Sequence, residues 1–500
     1  MSKGWGRVCS VECLKGSDSM NSAKKPNIIL ITTDQQRFDT IAALGNESII
    51  TPHLDWMCDN GIVFTSAYSD APVCIPARAT IMTGRHGYHQ DLCENTGRKM
   101  PRVLGEQLTI PKILGANGYQ TKSVGKMHFH PSRACYGFDS MEITDDYYRK
   151  MGKQSERGVP SNHGLPQSSL TPVISTVDAT NSITQWTMDQ SVDFIETRDP
   201  TRPFFLWTSF SKPHPPLDPP REYWDLYNHI EIPDATTGDW SDNPDETPQS
   251  MMETTYLLTM AQRQNKMQIR EAKRAYYACI TQIDYTIGAL LASLMEQGLR
   301  DNTWIIFTSD HGEMLGDHHM GGKEVFQEGS AHIPMFVVPP LNNDSMPYFG
   351  KVCDKTVCLA DVLPTILDMA DIEVPETVDG FSLMDQFNDK EGRDYLIGQC
   401  KNTYMVKTDE YKYIFYSEGG DDLLFDMKND PSETVNLSKK AEFKKEVCEL
   451  RKKLLTHFEK CVPELVENGE IKANPRSTKR PAYNGWPGFI SPNNPRDLRH

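Results

Sequence analysis

Three short apolar segments each run straight into a cluster of side chains able to do chemistry. Asn27-Ile-Ile-Leu-Ile-Thr-Thr33 leads into Asp34-Gln-Gln-Arg37, Pro203-Phe-Phe-Leu-Trp-Thr-Ser-Phe210 into Ser211-Lys-Pro-His-Pro-Pro216, and Thr303-Trp-Ile-Ile-Phe-Thr-Ser309 into Asp310-His-Gly-Glu313. Apolar runs of this length, rich in β-branched and aromatic residues, read as strands buried on both faces of a parallel sheet. In open α/β sheets ligands bind at the carboxyl edge of the strands, which is where these three clusters fall. Segments with helical spacing of apolar residues, Ile183–Glu196, Gln264–Gln297 and Asp361–Met369, alternate with the strands. The expected fold is therefore α/β, a large domain with a mostly parallel central sheet flanked by helices. The character changes near residue 380. Tyr411–Tyr416 alternates like an antiparallel strand, Asp422–Met427 is its expected partner, and Ser438–Lys460 reads as a charged amphipathic helix. These predict a smaller C-terminal α+β subdomain.

The expected division is a disordered leader over 1–25, a catalytic α/β domain over 26–380, the subdomain over 381–475 and a tail over 476–500, rich in Pro, Asn and Arg. Met151–Asp178 and Pro233–Gln249 lack periodicity and are expected to be surface insertions that shape substrate entry. The tail is either mobile or draped over a neighbouring subunit, which leaves open a homo-oligomer built through it. A formal net charge of −16 argues against a nucleic-acid or anionic-membrane partner. The first twenty residues have no apolar core of a secretion signal, and stretches such as Ile287–Met295 are too short to span a bilayer, so no membrane segment is expected. The twelve cysteines are scattered without paired CxxC spacing, so reduced thiols and a cytoplasmic location are the expectation.

The most specific pattern is Pro72-Val-Cys-Ile-Pro-Ala-Arg-Ala-Thr-Ile-Met-Thr-Gly-Arg85. Cys74-x-Pro-x-Arg78 with the trailing Thr83-Gly-Arg85 resembles the signature of the sulfatases, formylglycine-dependent enzymes of the alkaline-phosphatase-like superfamily. In that family the cysteine is oxidised to formylglycine, an aldehyde that hydrates to a gem-diol. One hydroxyl attacks sulfur, and the other later loses its proton so that the aldehyde re-forms and sulfate departs. A serine or a plain thiol lacks that second exit. The residues after Cys74 read as a helix, so the nucleophile would stand at a helix N-terminus, where free N–H groups and the positive end of the dipole suit an anionic ester. A lone cysteine before a helix is more often an inert buried thiol; Pro76, Arg78 and Thr83-Gly-Arg85 in register turn the balance.

The resemblance continues from Pro26 to about Phe458. Gly118-Tyr-Gln-Thr-Lys-Ser-Val-Gly-Lys-Met-His128 is similar to the second sulfatase signature, which implies that Lys126 contacts the sulfate oxygens and His128 a hydroxyl of the diol. Two apart on an extended segment, the pair would share one face. Asp34-Gln35 and Asp310-His311 resemble the family's metal-binding pairs and, with the modified Cys74, imply one divalent metal. Oxygen donors suit Ca²⁺, the first expectation, or Mg²⁺, and Gln35 and His311 lower the ligand charge and add nitrogen, which leaves Mn²⁺ or another transition metal possible. Lys212-Pro-His214 resembles the strand-end histidine that protonates the leaving oxygen, and Lys323 in Gly321-Gly-Lys323 matches a second sulfate-binding lysine. Taken singly, such residues are ordinarily caps, turns or solvated charges.

The resemblance implies hydrolysis of a sulfate monoester to an alcohol and inorganic sulfate, with a formylglycine-generating maturation enzyme as partner and a small sulfated substrate, whether sugar, aryl or choline sulfate. The runner-up is a phosphonate monoester or phosphodiester hydrolase of the same superfamily. Those relatives also use formylglycine, have Asp-Gln and Asp-His metal pairs, and carry an active-site asparagine near the place of Asn95. They replace the lysine and histidine of the Gly-Lys-x-His segment, which this chain retains. A third reading is a catalytically dead binding protein in which Cys74 is never converted.

Overall fold

The structure is a computed structural model that describes residues 25–152, 170–243, 245–248, 251 and 265–475. The expected leader and tail, apart from Lys25, lie outside the described residues, as does most of the insertion that follows Met151.

The three apolar runs form β1 (Asn27–Asp34), β5 (Phe204–Pro213) and β6 (Thr303–Ser309), and they are immediate neighbours. β1 pairs in parallel with β5 through Ile28–Phe205 to Thr32–Ser209, and with β6 through Asn27–Thr303 to Thr33–Ser309. Their carboxyl ends therefore lie side by side at the middle of one sheet. That sheet has eight strands, completed by β2 (Ile62–Tyr68), β3 (Gln120–Gly125), β4 (Ser140–Ile143), β7 (Met335–Val338) and β8 (Lys351–Cys358), in the order β4-β3-β5-β1-β6-β7-β2-β8. β7 runs antiparallel to both of its neighbours, and the other pairings are parallel.

Both faces of the central strands are covered, which explains their unbroken apolar sequences. Ile28, Leu30, Phe205, Trp207 and Ile306 pack with the helices Cys74–Thr83 and Val362–Met369. The alternate residues Ile29, Ile31, Phe204, Leu206, Ile305 and Phe307 pack with the helices Ile183–Thr197 and Lys266–Glu296. The last of these corrects one expectation: by length and composition it could cross a bilayer. Here it is a core helix, with Ile280, Ile283 and Ile287 fully buried against the sheet.

The C-terminal sheet is antiparallel, in the order β12-β11-β10-β9, from β9 (Leu396–Cys400), β10 (Thr403–Lys407), β11 (Tyr411–Tyr416) and β12 (Asp422–Asp426). The expected pairing of Tyr411–Tyr416 with the strand beginning at Asp422 is present. The helix Lys444–Cys461 buries Leu450, Leu454 and Phe458 on Tyr404, Tyr413 and Phe415. It begins six residues later than its sequence suggested, after a turn of 3₁₀ helix at Ala441–Phe443.

The segment Pro233–Gln249 is more than a surface insertion. Trp240 is 1% exposed, donates its indole N–H to the Glu433 carbonyl at 2.7 Å, and packs near Phe425 of the C-terminal sheet. It ties this segment to the C-terminal sheet and to His318 of the loop after β6. The end of the other insertion runs beside the loop after β5, with Val173 N donating to Leu217 O and Ser175 N to Pro219 O, both at 3.0 Å.

Candidate active site

Cys74 opens a ten-residue helix in which every residue is buried. The residue before it, Val73, is extended (φ −156°) and supplies no side-chain cap, so the first-turn amides must find partners elsewhere. One of them, Ile75 N, points to Asn95 Oδ1 at 3.4 Å. The helix ends at Gly84, whose φ of +64° and crowding against Val378 and Leu363 call for glycine. The Thr83-Gly-Arg85 part of the pattern is thus a helix stop.

Four ligating atoms, from Asp34, Cys74, Asp310 and His311, lie within 4.8 Å of one another, and all four residues are buried. They come from the end of β1, the helix start and the loop after β6. His311 Nδ1 lies 3.0 Å from the Gly312 carbonyl, which can only accept, so the ring proton sits there. In the neutral ring Nε2 then turns its lone pair to Cys74 Sγ, 3.2 Å away; in the charged ring it donates to the sulfur. Asp310 Oδ1 accepts from His311 N and Gln35 N, both at 3.0 Å. Arg78, fully buried, lies between the carboxylates, 2.9 Å from Asp34 Oδ2 and 3.0 Å from Asp310 Oδ2. Its other nitrogen donates to Ser209 Oγ at 2.8 Å and to the Lys126 carbonyl. Lys126 Nζ pairs with Asp34 Oδ2 at 2.8 Å. Lys323 Nζ donates to Gln35 Oε1 and lies 3.0 Å from His214 Nε2, while His214 Nδ1 donates to Pro215 O at 2.7 Å.

The charges settle unevenly. Burial pushes the Asp34 carboxyl up, but Lys126, His214, Arg78 and Lys323 outweigh it and hold it well below the usual carboxylate range. Asp310 is raised, by burial and by Asp34 across the site, against His311 and Arg78. Burial and Asp34 push the Cys74 thiol up, yet Lys323, His311 and Lys126 bring it well below its usual value. Burial opposes charge on His311, but Asp310 and Cys74 raise it. His214 is pushed well down, by burial and then by Lys126 and Lys323.

This donor set suits a divalent cation. Asp34 Oδ1 is buried without a hydrogen-bond partner, and Asp310 Oδ2, though within ion-pair distance of Arg78, accepts no well-aligned hydrogen bond. Unspent carboxylate oxygens beside a histidine lone pair are what a metal would use. Gln35 stands at φ 74°, with its amide oxygen engaged by Lys323.

His128 departs from the extended geometry expected of it. β3 ends at Gly125, His128 takes φ 54°, and its Nδ1 is buried without a hydrogen-bond partner. The backbone turns between Lys126 and His128, so their shared face is not that of a strand. Sequence reasoning gave no role to Ser209 or Glu313. Ser209 bridges Arg78 and the Lys126 carbonyl. Glu313 is fully buried against Gln35; its signal was a carboxylate inside the strand-end cluster Asp310-His-Gly-Glu313.

The sulfatase family model matches residues 26–372, and the model of the N-sulphoglucosamine sulphohydrolase C-terminal region matches residues 316–460. The chain belongs to the sulfatase family. An arylsulfatase of Clostridium perfringens is 36% identical over 471 residues, covering 87% of this chain and 95% of that protein. Among solved structures, one in complex with its substrate D-glucosamine-2-N,6-O-disulfate matches with a TM-score of 0.70 and 24% identity, over 89% of this chain and all of the other. The phosphonate monoester hydrolase of Agrobacterium radiobacter matches with a TM-score of 0.72 and 22% identity, over 90% of this chain and all of the other. At these identities the two structures speak for the fold alone. This sulfatase is a sulfuric ester hydrolase, and its family implies a metal and formylglycine.

Proposed function

We propose that this sulfatase cleaves the S–O bond of a small sulfate monoester with a formylglycine hydrate made from Cys74. The observation that carries the reading is Cys74 Sγ, buried at a helix start, 3.2 Å from His311 Nε2 and within one 4.8 Å cluster with Asp34 and Asp310. In the mature enzyme the diol oxygens take the place of Sγ. One hydroxyl would attack sulfur and pass its proton to the Asp310 carboxylate, the ester S–O bond would break, and the alcohol would leave with a proton from the His214–Lys323 pair. The second hydroxyl then gives its proton to His128, the aldehyde re-forms, inorganic sulfate departs, and water rehydrates the aldehyde. Lys126 and Lys323 hold the sulfate oxygens, and Arg78 balances the two carboxylates beneath them.

Neutral His214 has its proton on Nδ1, so the proton for the leaving oxygen is held by the His214–Lys323 pair, 3.0 Å apart, and not by an isolated imidazolium. Asp34, Gln35, Asp310 and His311, with the modified Cys74, would hold one divalent metal, Ca²⁺ before Mg²⁺ or Mn²⁺ given the oxygen donors. A bound cation there would polarise the sulfate oxygens.

The substrate is a sugar, aryl or choline sulfate, and a formylglycine-generating enzyme is the maturation partner. A cytoplasmic location and a homo-oligomer through the tail belong to the same proposal, tested by fractionation and light scattering. Mass spectrometry of the Cys74 peptide, with metal analysis, tests the centre: the aldehyde and one metal per chain are expected. Unconverted cysteine in inactive protein from a host with the maturation enzyme would favour the dead binding protein.

A second reading, phosphonate monoester hydrolysis, draws on Asn95 at the Cys74 helix start and on the Asp-Gln and Asp-His pairs. Lys126, paired with Asp34, favours the sulfate ester. Turnover of a phosphonate monoester above that of every sulfate in a panel would reverse the order.

A further inference from the structure

Glu313 is fully buried, and its carboxylate spends its acceptor capacity on three separate stretches of chain. Oε1 accepts from Leu315 N at 3.0 Å and from Gly322 N, the residue before Lys323. Oε2 accepts from Gln35 Nε2. On its other side the Gln35 amide meets Lys323, which donates to Oε1. The Gln35 backbone is also pinned, with N on Asp310 Oδ1 at 3.0 Å and O accepting from the Tyr276 hydroxyl.

A primary amide is nearly the same shape after a half-turn about its last bond, so shape alone does not decide which end faces the site. Its neighbours do. A carboxylate only accepts and an ammonium only donates. Gln35 must therefore show its NH₂ to Glu313 and its oxygen to Lys323. The reversed amide would set NH₂ against NH₃⁺ and a carbonyl against a carboxylate.

We propose that Glu313 is a positioning residue of this sulfatase: it turns the Gln35 amide oxygen toward Lys323 and the carboxylate cluster, and it holds the loop that carries Lys323. The proposal rests on the roles given above to Gln35 and Lys323. Gln35 is an ambiguous ligand because an amide has a donor end. Glu313 removes the ambiguity by occupying that end.

The test is a double-mutant cycle read as the apparent dissociation constant for Ca²⁺, by competition with a chelating dye, with kcat and KM for an aryl sulfate measured alongside. In E313Q the new amide can keep its oxygen on Leu315 N and Gly322 N, and its NH₂ then faces Gln35 and drives the flip. Ca²⁺ binding should weaken by about 10–100-fold, the range for residues that orient a metal ligand. In the Gln35→Glu background the same E313Q change should cost nothing, because a carboxylate at 35 accepts from the new NH₂ and still offers an oxygen to Lys323. Thermal unfolding in excess chelator should be similar for wild type, E313Q and the double variant, whereas Gln35→Glu alone sets two buried carboxylates together and should unfold earlier.

Equal weakening in both backgrounds, as a purely structural role would give, overturns the proposal, and so does unchanged affinity in E313Q. Should E313Q not fold, E313D keeps the charge but withdraws the oxygen from Gln35. It should weaken Ca²⁺ over the same range, and unaltered affinity would again overturn the idea. Wild-type protein that neither binds Ca²⁺ nor turns over aryl sulfate would remove the parent reading instead, whereas an active wild type with an additive cycle removes only this inference.

Discussion

One buried cluster of charge in this sulfatase lies at the carboxyl edge of the large sheet, and another lies where the two sheets meet. At the seam, Lys412 of β11 is fully buried between Glu328 and Glu433, 2.6 Å from the latter. Glu328 also takes His332 Nδ1 at 2.6 Å and the Tyr68 hydroxyl at 2.9 Å, and Glu433 Oε2 accepts from Glu328 N at 2.8 Å. Each charge there faces a partner. At the sheet edge Arg78 and Lys126 meet Asp34 and Asp310 just as closely, yet Asp34 Oδ1 is left over and Cys74 and His311 are drawn into the same few ångströms. Buried charge by itself marks architecture as readily as chemistry. The unspent acceptor and the nucleophile beside it distinguish the site from the seam.

The sharpest way to break this contrast is Cys74→Ala. Turnover should be abolished with the melting temperature nearly unchanged, since among the described residues the thiol's one hydrogen-bond contact is His311. Activity above a trace would mean that the leftover valence at the sheet edge serves something else. Next in size is His214→Ala. Loss of a general acid costs about 10²–10⁴-fold, and the cost should fall on alkyl or sugar sulfates far more than on nitrophenyl sulfate, whose oxygen leaves without a proton. A flat profile across leaving groups of graded pKa would reduce His214 to a packing or binding residue.

Lys412→Met probes the other cluster. It strands two buried carboxylates, so about 3–5 kcal/mol of stability should be lost in chemical denaturation. The folded fraction should keep its KM for an aryl sulfate. A large change in KM with little loss of stability would show that the seam belongs to the site.

The smallest effect sharpens the comparison through pH. Burial and Glu328 outweigh Lys412 and raise the Glu433 carboxyl from its ordinary 4.5 to about 7. A raised carboxyl favours the fold while it keeps its proton. Its contribution is whole below about pH 4.5 and is lost as pH rises through about 7. Glu433→Gln keeps a neutral group at every pH. Relative to wild type it should gain about 2–3 kcal/mol, or about 2–3 °C in Tm for a chain of this length, between pH 5 and pH 8. A difference independent of pH would show that Glu433 is ionised throughout and that the seam is fully neutralised.

Legibility followed the range of the forces involved. β1, β5 and β6 were readable because burial on both faces leaves an unbroken apolar run. β7 was not, since Met335–Val338 is four residues long and is recruited between β6 and β2 from elsewhere in the chain. Trp240 sat in a polar, aperiodic stretch, and only its meeting with Glu433 and Phe425 shows why a tryptophan stands there. The long helix looked unlike a membrane span only while its apolar residues were counted as unbroken runs; on the helix they gather with others to cover the sheet.

The sequence by itself determined the family and the strand ends that carry the clustered polar groups, and it singled out Cys74 as the proposed nucleophile, because each is written in neighbouring residues whose spacing already implies a helix start or a buried strand. Tertiary structure alone decided which charges cancel and which are left over. Arg78 reaches Asp34 from 44 residues away, and Gln35 is oriented by Glu313 and Lys323, 278 and 288 residues off. Hydrogen bonds and ion pairs act over a few ångströms, so partners that distant along the chain exist for one another only after the sheet has brought their loops to one edge.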